Sequence, residues 1–149
     1  MVNPLDENSF PPLLDHIGWL LWRAARDWKR ELDEGMVEMG YAWATEARAN
    51  VLPHVGRAGI AQSELSGRMG VSKQAVQQLL DELVADGIVE RKPDPTDRRG
   101  RLVVLTAAGR KFVADANVVK LRIEASYRAR LGERRFTQLT RALQALHEG

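Results

Sequence analysis

The chain has 149 residues, 44% apolar and 28% charged, a composition typical of one globular domain and unlike a disordered or membrane-spanning chain. It contains no cysteine, which excludes disulfides, thiolate metal sites and thiol redox sensors. The net charge is only +2, so the total charge does not indicate a nucleic-acid partner, and only the distribution of charge can.

The N-terminal stretch MVNPLDENSFPP is acidic and polar, unlike a signal peptide, and no apolar run approaches the roughly 20 residues that cross a bilayer. We therefore expect a cytoplasmic chain with no membrane partner and no cofactor. The histidines are scattered, which argues against a metal site. No nucleophile elbow, phosphate loop or dinucleotide motif is present, so we expect no enzyme.

The first predicted elements are two long helices. Residues 1–10 are expected to be flexible, and Pro11-Pro12 to begin a helix, because proline suits a first turn whose N–H groups have no partners. Apolar residues recur at three- and four-residue steps up to Leu32, and Gly35 is expected to end the helix. A second helix is predicted over about 36–52, closed by Pro53 and Gly56.

The stretch QSELSGRMGVSKQAVQQLL, residues 62–80, predicts a helix over about 62–69, a tight turn, and another helix over about 72–86. Ser66 is the small residue needed where the helices cross, and Gly70 can adopt the left-handed conformation of the turn. Apolar residues at the expected spacing wedge the pair together: Leu65, Met69, Val71, Val76 and Leu79.

The second of these helices has a polar outer face. Ser72 is a suitable N-cap, and Lys73, Gln74, Gln77 and Gln78 lie opposite the apolar stripe. Glutamine can form two hydrogen bonds with adenine, and lysine can reach guanine or a phosphate. These five residues are predicted to contact DNA; the alternative is that the glutamines are only solvated.

A basic hairpin follows, with strands predicted at 88–91 and 101–105. Residues 91–101 contain five basic and two acidic residues. The narrow, strongly negative minor groove of DNA attracts inserted arginine. We therefore predict DNA contacts for Arg98, Arg99 and Arg101, with Asp97 orienting one arginine through hydrogen bonds. The alternative is a solvated hairpin with exposed ion pairs.

The C-terminal part predicts two more helices. Thr106 caps a long helix over about 107–130, Gly132 breaks it, and the last helix carries an apolar stripe. One copy of the chain has no other element to cover the stripes of the terminal helices, so we expect a homodimer. A two-fold dimer would place two recognition helices about one DNA turn apart, on a near-palindromic operator.

Residues 64–109 resemble the MarR-type winged-helix transcription regulators, through GIVER, the pattern D-x-x-D-R-R and the pattern L-T-x-x-G. The resemblance implies an obligate homodimer held by the first and the last two helices, with a recognition helix in the major groove. It also implies a wing arginine in the minor groove, matched by Arg99 with Asp97 as its partner. Ala61 departs from the family, which often has a capping Thr or Ser there.

The expected fold is mainly α with a small β-hairpin wing: a winged helix-turn-helix flanked by long dimerisation helices. The expected organisation is a DNA-binding lobe over 36–106 and a helical dimerisation region over 11–35 and 107–149. The function predicted is that of a sequence-specific, dimeric transcription regulator, a repressor. The alternative is a winged-helix protein–protein scaffold that does not bind DNA.

MarR-type proteins commonly bind small aromatic ligands in a cleft between the dimer helices and the DNA-binding lobe. All four tryptophans of this chain precede residue 44. We predict a ligand site formed by Trp22 and Trp43, with Arg26 as an anion partner, through which a ligand releases or retunes the regulator. The alternative is that the aromatic residues pack the core and the dimer seam.

Overall fold

The structure is a computed structural model that describes residues 13–148, so the expected flexible segment over 1–10 and the helix start at Pro11-Pro12 lie outside the described residues. The fold is mainly helical, with a three-stranded antiparallel sheet in the order β1-β3-β2, which confirms the predicted class. In chain order the elements are α1 (Ile17–Glu38), two 3₁₀ helices (Ala42–Thr45 and Ala47–His54), β1 (Ile60–Ala61), α2 (Gln62–Met69), α3 (Lys73–Ala85), β2 (Val89–Asp94), β3 (Asp97–Leu105), α4 (Ala107–Leu131) and α5 (Glu133–Ala145).

Helix α1 differs from the prediction at both ends. It begins at Ile17, where the His16 imidazole caps it by accepting a hydrogen bond from the backbone N–H of Trp19 at 3.3 Å. The prediction that Gly35 ends the helix is wrong, because α1 continues to Glu38. Gly35 is buried against α4, and a Cβ there would come closer than 3.0 Å to the Val119 side chain. The glycine therefore permits close packing of two helices.

The predicted second helix over 36–52 is wrong. The chain turns at Gly40, which has a φ of +94°, and forms two short 3₁₀ helices separated by extended Glu46. Pro53 lies inside the second of them instead of closing an α-helix. This broken path places both Ala44 and Val51 in the core.

The helix-turn-helix lies where it was predicted, and the residues predicted to form its turn do so. Gly70 has a φ of +67° and ends α2, as a left-handed turn residue should. The Ser66 hydroxyl also donates to the carbonyl of Val71 at 2.6 Å, so this residue closes the turn as well as letting the helices approach. Leu65 and Val76 are fully buried between the helices, whereas Val71 is more exposed than predicted.

The wing strands are longer than predicted, and only Pro95 and Thr96 separate them. Val89 pairs with Leu105 and Pro93 pairs with Arg101. Arg98 and Arg99, predicted to lie in the loop, belong to β3, in a part where the register shifts and residues 98–100 have no partner on β2. Strand β1 was not predicted, since a two-residue strand has no detectable alternation; its Ile60 pairs with Val103.

The core lies between the helix-turn-helix, the sheet and the crossing of α1 with α4. Its largest fully buried side chains come from all of these parts: Met36, Val51, Leu65, Val76, Leu80, Leu83, Val89, Val103 and Val119. Helix α5 contributes no buried residue. Among residues 13–148, no helix is long and apolar enough to span a membrane.

Candidate nucleic-acid interface

The polar face of α3 is open to solvent, as predicted. Lys73, Gln74, Gln77 and Gln78 are all exposed. Ser72 lies at the N-cap, where its hydroxyl oxygen accepts the backbone N–H of Ala75 at 3.0 Å. The cap stabilises the first turn of α3, whose outer side chains are exposed to solvent.

Two of the three wing arginines, Arg99 and Arg101, lie on the side of the wing that faces α3, whereas Arg98 does not line that side. The pairing of β3 with β2 is irregular here, because the register shifts between Pro93 and Asp94 and leaves residues 98–100 without partners on β2. Arg101 is paired with Pro93, and the next residue on its face, Val103, is paired with Arg91. Arg91 and Arg101 therefore share one face of the wing, and Arg99 lies beside them.

An open cleft of about 400 Å³ lies between the start of α3 and this face of the wing. It contains four of the predicted residues, two from α3 and two from β3. It also contains residues that sequence reasoning did not assign to the site, from α2, α3, β2 and β3. Its lining residues are Gln62, Ser63, Lys73, Val76, Gln77, Arg91, Arg99, Gly100 and Arg101.

Four side chains, three of which line this cleft, form a closed ring of hydrogen bonds, which we call the α3–wing ring. Gln62 Nε2 donates to Gln77 Oε1 at 2.6 Å, and Gln77 Nε2 donates to Asp81 Oδ1 at 3.0 Å. Arg91 completes it, with Nη2 at 2.8 Å from Asp81 Oδ1 and Nε donating to Gln62 Oε1 at 3.1 Å. The ring joins α2, α3 and β2.

The wing tip is a compact turn stabilised by two aspartates. Asp94 Oδ1 accepts from the backbone N–H of Thr96 at 2.9 Å and from its hydroxyl at 2.8 Å, and these bonds lower the pKa of Asp94. Asp97 Oδ1 accepts from the backbone N–H of Arg99 at 3.0 Å. Asp97 was predicted to bind an arginine side chain; the structure instead gives it the backbone of Arg99, so it shapes the strand that carries the guanidinium.

The three residues predicted for a ligand site occupy two separate clusters. Trp22 is half exposed on α1, stacked on Trp19 with 5.0 Å between ring centroids and with the Arg26 guanidinium 4.8 Å from its ring. Trp43 stacks on Phe112 of α4, with 4.4 Å between centroids.

A second cavity, of about 460 Å³, opens between α1, the second 3₁₀ helix and α4. Trp28 and Phe112 line it, rather than Trp22 or Trp43, and its charged residues are Lys29, Asp33 and Lys120. The sequence indicates that the tryptophans lie in the N-terminal part of the chain, but it does not show which of them lines the cavity.

A contact series runs from this cavity to the end of α3. Phe112 stacks on Trp43, and the Arg48 guanidinium lies 5.4 Å from the Trp43 ring. Arg48 also forms an ion pair with Asp86, the C-cap of α3.

Comparison with known proteins identifies relatives of this architecture. A family model described as the MarR family matches residues 45–100. An uncharacterized protein of Mycobacterium tuberculosis is 34% identical over 69 residues, 46% of this chain and 48% of that protein. The multiple antibiotic resistance protein MarR of Escherichia coli is 46% identical over 50 residues, 34% of this chain and 35% of that protein. The match thus spans about half the length, or less, of these curated relatives.

Solved structures match over nearly the whole chain. The apo form of wild-type MarR from E. coli has a TM-score of 0.73 at 27% identity, covering 90% of this chain and 98% of that one. A mutant MarR from E. coli complexed with operator DNA has a TM-score of 0.70 at 28% identity, covering 87% and 92%. The family and these neighbours are transcriptional regulators and not enzymes, in agreement with the prediction from the sequence.

Proposed function

Because the chain belongs to the MarR family of winged-helix transcriptional regulators, we propose that it is a dimeric, sequence-specific repressor that binds a near-palindromic operator. In this proposal, α3 enters the major groove and the wing enters the adjacent minor groove. Since its partner is chromosomal DNA, the protein would act in the cytoplasm.

The observation that carries the proposal is the cleft between α3 and the wing. It combines the cations of Lys73, Arg99 and Arg101 with the exposed polar face of a helix. Phosphate contacts by cations supply affinity and register, and glutamine side chains can discriminate between bases. The similar fold of mutant MarR, which is complexed with operator DNA, supports DNA binding here.

The proposed dimer would cover apolar side chains that α1, α4 and α5 leave open. Ile17 on α1 is 71% exposed, and Leu121 on α4 is 67% exposed. On α5 and at its C-cap, the apolar side chains of Leu139, Leu143 and Leu146 are exposed. Large apolar side chains exposed on three helices indicate an interaction site, and a second copy would remove them from water.

The proposed effector is a small aromatic anion bound in the 460 Å³ cavity, beside Trp28, Lys29 and Lys120. The series from Phe112 to Asp86 would couple this site to α3. A ligand that prefers one position of α3 must change operator affinity. Titration of the protein–operator complex with salicylate or benzoate checks this: unchanged affinity at saturating ligand contradicts control by this ligand class.

Gln74 is proposed to read bases, because it is exposed on the first turns of α3 beside Lys73. Gln74→Ala is expected to weaken binding to the operator by about 1–3 kcal/mol and to leave binding to random duplex almost unchanged. Fluorescence anisotropy with both duplexes at one salt concentration measures the two losses.

The matched control is Gln144→Ala, a glutamine on α5 remote from the cleft residues in sequence and element. It should alter neither affinity. Equal losses on operator and random duplex for Gln74→Ala would mean that Gln74 does not read bases.

A further inference from the structure

The α3–wing ring occupies both ends of the Gln77 amide. Its oxygen accepts from Gln62, and its nitrogen donates to Asp81. A base that paired with this amide would compete with protein partners already in place. Gln74 and Gln78, by contrast, lie on the same exposed face without a place in the ring.

The ring also connects the parts whose relative position decides how DNA can be contacted. Gln62 begins α2, Gln77 and Asp81 lie one turn apart on α3, and Arg91 lies on β2. Arg91 additionally reaches the backbone carbonyl of Gln77 at 3.5 Å. The side chain of Arg91 is largely buried, with 21% exposed, so its guanidinium interacts mainly with the other residues of the ring and little with solvent.

We propose that Gln77 is a positioning residue and not a base reader: together with Gln62, Asp81 and Arg91 it fixes the angle between α3 and the wing. The inference rests on the proposed function, since the angle matters only if both elements contact one duplex. It assigns base reading to Gln74 and Gln78 and groove insertion to Arg99. It also explains why α3 carries the acidic residue Asp81, whose carboxylate would otherwise only repel the phosphates of a bound duplex.

The ring can be tested by exchanging the amide of Gln77 and the carboxylate of Asp81, the donor and the acceptor of one of its hydrogen bonds. Gln77→Glu places a carboxylate against Asp81 and breaks the ring. Adding Asp81→Asn restores a donor and an acceptor at each step of the ring: turned so that its nitrogen faces position 77 and its oxygen faces Arg91, the amide introduced at position 81 donates to the carboxylate and accepts from the guanidinium, and Gln62 still donates to position 77. The double variant has the same net charge as the parent.

We expect Gln77→Glu to lower operator affinity about 10-fold and to reduce the ratio of operator to random-duplex affinity. The double variant Gln77→Glu/Asp81→Asn should return to within about 3-fold of the parent in both quantities. If the double variant binds as weakly as Gln77→Glu, then Gln77 contacts DNA itself and the proposal is overturned.

The matched control is Gln78→Glu with and without Asp81→Asn, which makes the same charge changes one residue away from the ring. Here Asp81→Asn should not restore binding; restoration would mean that net charge, and not the ring, explains the rescue.

Urea unfolding of the same proteins, without DNA, tests the ring separately. The midpoint should fall in Gln77→Glu and recover in the double variant; a midpoint that does not recover overturns the ring. If the parent binds no duplex selected from genomic fragments, the proposed function fails, and the unfolding result still decides for or against the ring.

Discussion

Arg99→Ala is expected to weaken operator binding about 5- to 150-fold, equivalent to about 1–3 kcal/mol, without unfolding the protein. Arg99 is exposed on the face of β3 that lines the cleft, so its guanidinium is available to a groove beside α3. A narrow minor groove has an enhanced negative potential, and removing an inserted arginine loses that attraction together with its hydrogen bonds.

Arg98→Ala is the matched control, because it removes the same charge from a neighbouring residue of the same strand that does not line the cleft. It should cost only a few-fold through long-range electrostatics, which weaken as salt rises. Anisotropy titrations of both variants at two salt concentrations provide the comparison. Equal losses in the two variants would contradict the assignment of Arg99 to the groove.

Gly109→Ala is expected to destabilise the fold by about 1–3 kcal/mol, because the new methyl group would meet backbone and not a movable side chain. A Cβ at Gly109 would come closer than 3.0 Å to the carbonyl oxygen of Ile88. That oxygen also accepts bonds from the backbone N–H and the hydroxyl of Thr106, at 3.1 and 3.0 Å. The first turn of α4 is thereby held against the base of the wing, and the substitution must separate them.

Gly67→Ala is the control for Gly109→Ala, since it lies in helix α2 with no atom within 4 Å of its Cβ position. It should stabilise the protein by about 0.5–1 kcal/mol, the usual gain when alanine replaces an exposed helical glycine. Urea unfolding gives both changes. A Gly109→Ala protein as stable as the parent would contradict the close approach of α4 to Ile88.

The helix-turn-helix could be predicted because its constraints are local. The turn needs a left-handed residue at one position, and Gly70 supplies it; the apolar spacing then fixes which faces of α2 and α3 meet. Thr106 likewise marks the start of α4, where its hydroxyl accepts the N–H of Gly109 at 3.1 Å.

The errors have non-local causes. Gly35 has the local signature of a helix end, yet its role is to admit the side chain of Val119, a residue of α4 that lies more than 80 positions further along the chain. The segment over 42–54 contains good helix formers, but its broken path buries Ala44, Val51 and Leu52 in the core. Just before the segment, the Tyr41 hydroxyl donates to Asp115 of α4 at 2.5 Å. No periodicity within the segment reports such a contact.

The candidate site divides in the same way. The basic and polar residues of the cleft could be found from charge and helical spacing, but that Arg99 lines the cleft and Arg98 does not required the three-dimensional structure. The ring could not be found, because Gln62 and Arg91 lie 29 residues apart and neither carries a local signal for the other. The separation of Trp22 and Trp43 into two clusters could not be predicted either, because the sequence shows where tryptophans occur along the chain but not which side chains they contact.

The most direct test of the account is the salt dependence of binding to a near-palindromic duplex selected from genomic fragments, with the number of chains per duplex measured in parallel. If two subunits each place Lys73, Arg99 and Arg101 against one duplex, the logarithm of affinity should fall with the logarithm of salt with a slope of about −4 or steeper. Two chains should bind each duplex. A slope near zero, as expected for a protein–protein scaffold, or one chain per duplex would contradict the account.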